Sequence, residues 1–199
     1  MLKSSFSQDK IEAGCDEVGR GCLAGPVVAA AVILPKKYRH KLLTDSKQIS
    51  KAKRELLRKD ILKDAIACAI AEVGNIEVDK INVLQASFVG MHRALDQFPI
   101  LPELILVDGN KFIPYKKIHF ECIIKGDGKY LSIAAASILA KTYRDQLMKT
   151  LALSHPEYGW ERNVGYPTKE HRAAIKEYGI TKYHRKSFRL LPDQLNLFL

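Results

Sequence analysis

None of the four cysteines, Cys15, Cys22, Cys68 and Cys122, belongs to a CxxC pair. Three of them stand in apolar strand or helix context, so reduced thiols are expected here, not disulfides or zinc ligands. No apolar run approaches the roughly 18 residues of a membrane span, and no charged-then-apolar leader opens the chain. Both absences point to a cytoplasmic protein with no membrane partner. There is no internal repeat and no low-complexity tract, and His40, His92, His119 and His155 form no ligand pattern. Acids are the minority charge, 22 Asp and Glu against 32 Lys and Arg, a net +10. That excess favours a polyanionic partner, although many ordinary proteins are also basic. With 199 residues and 47% hydrophobic content, the chain can bury one good core.

Residues 11 to 18 and 27 to 34 read as strands joined by a glycine-rich turn, with Pro26 at the mouth of the second and Pro35 ending it. Ser50 is placed to cap a helix running to about Leu62. Residues 65 to 73 suit either a strand or a buried helix, and the flanks favour a short central strand. Asp79 is expected to cap an amphipathic helix with Ile81, Leu84, Phe88, Met91 and Leu95 on one face. Residues 104 to 107 and 118 to 124 read as further strands. From Ser132 to Leu147 the pattern is helical, and its run from Ile133 to Ala140 is small and apolar nearly all round, which predicts burial against the sheet. Beyond Ser154 glycine and proline become frequent, and Thr168 is expected to cap a helix from Lys169 to Tyr178. Strands with helices between them, then a helical end, predict an α/β protein with a mixed sheet.

Asp16 and Glu17 end an apolar strand, Asp108 ends another, and Asp127 stands between two glycines. Carboxylates so placed on a basic protein suggest a site for hard divalent cations that meets a phosphodiester. Each has a bland alternative as a helix cap or a solvated strand end, and Asp108-Gly109 is also a common turn pair. Neighbours on a strand point to opposite faces, so Asp16 and Glu17 share a site only where the strand is ending or distorted. Gly19-Arg20-Gly21 allows close backbone approach and offers a charged fork, or is simply a tight turn.

The stretch from Ala13 to Val28, AGCDEVGRGCLAGPVV, closely resembles the signature of ribonuclease HII, the bacterial type 2 ribonuclease H. Further blocks agree in order: Thr44-Asp45-Ser46-Lys47, Leu106 to Gly109, Gly126-Asp127, Ser132 to Lys141, Arg144-Asp145, Gly165 to Thr168 with His171, and His184 to Phe188. They span residues 11 to 188. The resemblance implies a ribonuclease H-like fold, with a mixed central sheet flanked by helices and a C-terminal helical extension. Its catalytic core would be residues 1–153, the extension of the same domain 154–190, and a tail 191–199. The implied activity is endonucleolytic hydrolysis of RNA in RNA–DNA hybrids, with incision 5′ of single ribonucleotides in duplex DNA, leaving 3′-hydroxyl and 5′-phosphate ends. Asp16, Glu17, Asp108 and Asp127 match the family's catalytic, metal-binding carboxylates, which use two Mn²⁺ or Mg²⁺ ions. Asp16 is expected to bridge them with Asp108 nearby, Glu17 to serve the leaving-group side and Asp127 to support the other ion.

The same resemblance assigns Gly19, Arg20 and Gly21 to the ribonucleotide junction and has Tyr166 stack there and contact the 2′-hydroxyl; a core tyrosine is the alternative. Lys47, Thr168, His171 and Ser187 are expected in phosphate or supporting contacts. Cys22 departs from the family's usual proline, with a small effect on loop rigidity expected. Residues 36 to 63 hold eleven Lys and Arg against three acids, and residues 161 to 189 eight against three. Both regions suit a nucleic-acid backbone, and a solvated helix face is the alternative for 51 to 63. At the C-terminus, Gln194, Leu195, Leu197 and Phe198 lie in a stretch resembling the peptide by which bacterial repair proteins dock on the sliding clamp. A tail packed on its own domain is the alternative. The expected assembly is a monomer acting on nucleic acid. Competing readings are another metal-dependent nuclease or strand-transferase of this general fold, or a non-catalytic hybrid-binding protein.

Overall fold

The computed structural model describes residues 2–7, 9–43 and 49–192. Lys47 and the tail residues Gln194, Leu195, Leu197 and Phe198 lie outside the described residues. The strands are β1 (Glu12–Val18), β2 (Val27–Ile33), β3 (Ala67–Val73), β4 (Leu104–Asp108) and β5 (His119–Ile123). They form one sheet in the order β3-β2-β1-β4-β5. β1 runs antiparallel to β2 and parallel to β4; β2 and β3 are antiparallel, β4 and β5 parallel. The mixed sheet expected from the sequence is therefore present. The strand at 65 to 73 differs in one respect: it is an edge strand, not a central one. Its half-exposed residues Cys68, Ala69 and Ile70 suit an edge, with Ala67, Ala71 and Val73 buried and Glu72 outside.

The helices are α1 (Lys51–Asp64), α2 (Asn75–Ile81), α3 (Val83–Leu95), α4 (Leu131–Ser154), α5 (Trp160–Asn163) and α6 (Lys169–Tyr178). On β2 the side chains alternate with period two. Val28, Ala30 and Val32 join a core with α1 and α4, while Ala29, Ala31 and Ile33 join one with α3 and β4. The sheet is thus sandwiched between helices. Every residue of α4 from Leu131 to Ala140 is buried, as its apolar composition predicts. Contact there is close: a Cβ on Gly14 of β1 would sit 2.2 Å from the main-chain carbon of Ser132. Only a residue without a side chain lets the start of α4 rest on β1 in this way.

Ser50 and Thr168 cap α1 and α6 through their hydroxyls, as expected. The expectation for Asp79 is corrected. It lies inside α2, and its carboxylate accepts from the N–H groups of Lys186 and Ser187 and from the Ser187 hydroxyl. α3 is capped by Asn82, which at φ 65 accepts from Leu84 and Gln85. Asp and Asn are both good caps, but Asn more readily takes the left-handed conformation that the α2–α3 corner imposes. The predicted apolar face shrinks accordingly to Phe88, Met91 and Leu95, with Ile81 in α2 and Leu84 only half-buried.

Past α4 the chain folds back on its end. Trp160, Tyr158, Ala174 and Ile175 pack with Met148 of α4 and with Leu23 and Ala24 of the β1–β2 loop. This third cluster packs Leu23 and Ala24 against the C-terminal segment.

Candidate active site

β1 and β4 are parallel neighbours, and their last pair is Cys15 with Val107. The next residues along each strand, Asp16 and Asp108, therefore stand side by side where the β1–β4 pairing ends, each still paired on its other edge. Ligand sites in α/β sheets form at such strand ends. Asp16, Glu17 and Asp108 line one open cleft of about 430 Å³, with Arg54 of α1, Lys141 of α4 and Tyr166. Glu17 reaches the same cleft as its neighbour because β1 finishes at Val18 and the chain turns at Gly19, φ 93.

Asp16 is 6% exposed. Its Oδ1 accepts the Glu17 N–H at 2.7 Å, and Ser137 of α4 also bonds its side chain. Burial, then the nearby charges of Glu17 and Asp108, pushes its carboxyl well above the ordinary range. Burial also raises Glu17, opposed by the Arg20 guanidinium at 3.1 Å and reinforced by Asp108. Such a group of carboxylates is electrostatically uncomfortable without a cation. Its oxygen donors are the hard ligands that suit Mg²⁺ or Mn²⁺.

Asp127 sits beside this group and does not line the cleft. It is buried in the 3₁₀ turn Gly126–Gly128, next to Gly126, whose N–H donates to Asp108 Oδ1 at 2.6 Å. Among the described residues no three His, Cys, Asp or Glu side chains form a group that holds a metal by itself. Three of the four expected carboxylates thus share a cleft, and the fourth is coupled to it through the Asp108–Gly126 hydrogen bond.

Around the cleft mouth, Arg20 and Gly21 are exposed, and Gly21 lies next to the Tyr166 ring. Tyr166 is 40% exposed, and burial, then the neighbouring Cys22 thiol, raises its hydroxyl. Cys22 therefore neighbours a site residue, a proximity invisible to a reading that saw only a changed loop residue.

Of the phosphate or supporting contacts expected of His171, Thr168 and Ser187, the structure leaves His171 only the supporting one. His171 is fully buried and cannot meet a phosphate. Its Nε2 lies 3.0 Å from the Trp160 ring N–H and 3.1 Å from His184 Nε2. Its Nδ1 is 2.9 Å from the Tyr166 carbonyl, so it supports that loop from beneath. Thr168 caps α6 and Ser187 bonds Asp79, and both stand exposed. Sequence reasoning missed Arg54, Ser137 and Lys141. Ser137 and Lys141 are four residues apart on α4, and that spacing was the available signal.

The family model described as Ribonuclease HII matches residues 13–191. The chain is 59% identical to the Ribonuclease HII of Parabacteroides distasonis over 197 residues, 99% of each chain. Among solved structures, it resembles ribonuclease H2 from Pyrococcus horikoshii OT3 at TM-score 0.75 and 26% identity, covering 90% of this chain and 94% of that one. It also resembles the RNase HII of a PCNA:RNase HII complex from Archaeoglobus fulgidus, at TM-score 0.77 and 26% identity over 94% and 100% of the two chains. The sheet and helices described above are thus a ribonuclease H-like fold, and the chain belongs to the ribonuclease HII family, enzymes that cleave the RNA of RNA–DNA hybrids.

Proposed function

We propose that this enzyme incises duplex DNA on the 5′ side of a single embedded ribonucleotide, as well as cutting longer hybrids, and leaves 3′-hydroxyl and 5′-phosphate ends. The observation that carries the reading is the shared cleft of Asp16, Glu17 and Asp108, edged by Arg54, Lys141 and Tyr166. Asp16, Glu17 and Asp108, with Asp127 alongside, are the residues that would hold two Mn²⁺ or Mg²⁺ ions. Bound there, the ions supply charge neutralisation at the phosphodiester and activation of the attacking water.

The chain's own groups do the rest. Arg54 and Lys141 present positive charge to the backbone phosphates. Arg20 orients Glu17, and its half-exposed guanidinium can also meet a phosphate. Gly21 leaves room beside Tyr166 for a sugar edge, and the Tyr166 hydroxyl is the group offered to the 2′-oxygen. Residues 154–190 act as the extension that carries Tyr166 to the core. The tail from Gln194 to Phe198 is proposed to dock on the sliding clamp, and a chain ending at Leu191 should lose that affinity. The cytoplasm is the proposed compartment, in keeping with four unpaired cysteines.

The test offers duplex DNA with one internal ribonucleotide, or none, to wild type and Asp108→Asn with Mg²⁺ or Mn²⁺. Cleavage by wild type alone, confined to the ribonucleotide duplex, is expected. Equal cutting of pure DNA supports a general nuclease instead, and equal cutting by both proteins removes the mechanism.

A further inference from the structure

Two arginines beneath the cleft, Arg144 on α4 and Arg185 in the C-terminal segment, are fully buried. Buried guanidiniums ordinarily answer to carboxylates. Here the donors go to main-chain carbonyls instead. Arg144 donates from Nε to Pro26 at 3.0 Å, from Nη2 to Ala24 at 3.0 Å and from Nη1 to Val164 at 2.7 Å. Arg185 donates from Nε and Nη2 to Gly25, at 3.1 and 2.9 Å, and from Nη1 to Arg20 at 3.0 Å. One side chain thus bridges the loop 19–26 to the Tyr166 loop, and the other grips the first loop from the opposite flank.

The loops are shaped around these side chains. A Cβ on Gly19 would stand 2.4 Å from Arg144 Nε, and one on Gly165 would stand 2.6 Å from the Ala24 carbonyl. Both glycines also have positive φ, 93 and 85. Main-chain bonds complete the seam: Leu23 N–H donates to Gly165 at 2.7 Å, and Arg185 N–H to Leu23 at 2.8 Å. Burial holds Arg185 down at about 10, which still leaves it charged at neutral pH.

We propose that Arg144 and Arg185 are positioning residues, a two-sided guanidinium clamp that sets the Gly19–Gly21 turn and Tyr166 at the spacing needed to grip one ribonucleotide. This rests on the reading of those residues as the ribonucleotide contacts. Neither arginine lines the cleft, so each acts through a loop. A lysine keeps the charge but cannot span, with a fixed fork, the three carbonyls that Arg144 reaches or the two that Arg185 reaches. The carboxylates are carried by β1 and β4 and backed by Ser137, so loss of the clamp should spare the metal site.

The experiment compares Arg144→Lys and Arg185→Lys with wild type on the single-ribonucleotide duplex. Trp160 emission and circular dichroism check folding, and calorimetric titration with Mn²⁺ checks the carboxylates. Expected are native folding, Mn²⁺ affinity within about twofold, KM raised about tenfold and kcat within about threefold, as for lost alignment of bound substrate. In a Tyr166→Ala background the effect of Arg144→Lys on KM should shrink below about threefold, because the positioned group is gone. Unchanged KM in both variants overturns the clamp, as does full additivity with Tyr166→Ala. Loss of folding in both lysine variants also overturns it, since the arginines then hold the fold as a whole. If wild type does not cut the single-ribonucleotide duplex, the functional reading fails separately, and the same KM comparison on a uniform RNA–DNA hybrid decides the clamp.

Discussion

Asp108 Oδ1 accepts the Gly126 N–H at 2.6 Å, which makes the carboxylate at the end of β4 and the turn carrying Asp127 one mechanical unit. A carboxylate here has two separable jobs, accepting that bond and bearing charge into the cleft. Asp108→Asn retains an acceptor oxygen and should fold with native stability while losing about 10³-fold in kcat. Asp108→Ala loses the bond as well and should cost about 1 kcal/mol of stability. Denaturant unfolding beside single-turnover kinetics separates the two; equal stability of both variants would remove the structural half.

Asp16 is a buried acid facing two others, so its charge is unfavourable in the metal-free protein. Asp16→Asn removes that charge and should raise unfolding stability by about 1 kcal/mol while abolishing cleavage, the usual opposition of stability and activity at a built site. Mn²⁺ should raise the melting temperature of wild type and leave that of Asp16→Asn nearly unchanged. A thermal scan with and without Mn²⁺ checks both. A destabilised Asp16→Asn would mean that its bonds to Glu17 and Ser137 outweigh the repulsion.

Acid should loosen the C-terminal cluster. His184 Nδ1 accepts from the Thr181 N–H at 2.9 Å, so that nitrogen cannot take a proton without losing its donor. Burial, then the neighbouring His171, pushes His184 down to about 4, and burial lowers His171. A histidine depressed in the folded state contributes nothing adverse above its unfolded value near 6.5. As pH falls from there towards about 4, the unfolded chain takes up protons that the folded protein refuses, and stability falls. Between pH 7 and 5 the loss from His184 should be about 2 kcal/mol. Denaturant midpoints at the two values, for wild type and His184→Gln, measure it. An identical pH dependence in both proteins counts against the assignment.

Gly14 is where β1 and the start of α4 touch, with 2.2 Å between an added Cβ and the Ser132 main chain. Backbone cannot rotate aside as a side chain can. Gly14→Ala should therefore cost about 3 kcal/mol or more, at the upper end of overpacking effects. It should also weaken cleavage, because the displaced helix carries Ser137 and Lys141. A variant within 0.5 kcal/mol of wild type, roughly the noise of ordinary surface changes, would show that the contact yields.

The strands and the long helix were legible in the chain because their signals are local. The continuous Val, Ala and Ile run of β2 between Pro26 and Pro35 and the unbroken small apolar run of α4 need no distant partner to be recognised. The caps at Ser50 and Thr168 were legible for the same reason. Asp79 misled because two cap-type residues compete within four positions, and the choice depends on Lys186 and Ser187, over a hundred residues away. Similarly, nothing local marks residues 67 to 73 as an edge strand, since edge or centre is a property of the neighbours.

The four acids could be picked out from sequence, as strand-end carboxylates and through the family resemblance, but their grouping could not. Parallel pairing of β1 with β4 puts Asp16 beside Asp108, and the turn after β5 leaves Asp127 adjacent to the cleft instead of in its wall. His171 stood as a possible substrate contact until the fold enclosed it among Trp160, His184 and the Tyr166 carbonyl. Residue type and short-range spacing set which groups are chemically able to act. Which of them meet, and which are walled off from solvent, follows from long-range pairing and burial, and these exist only once the chain has closed on itself.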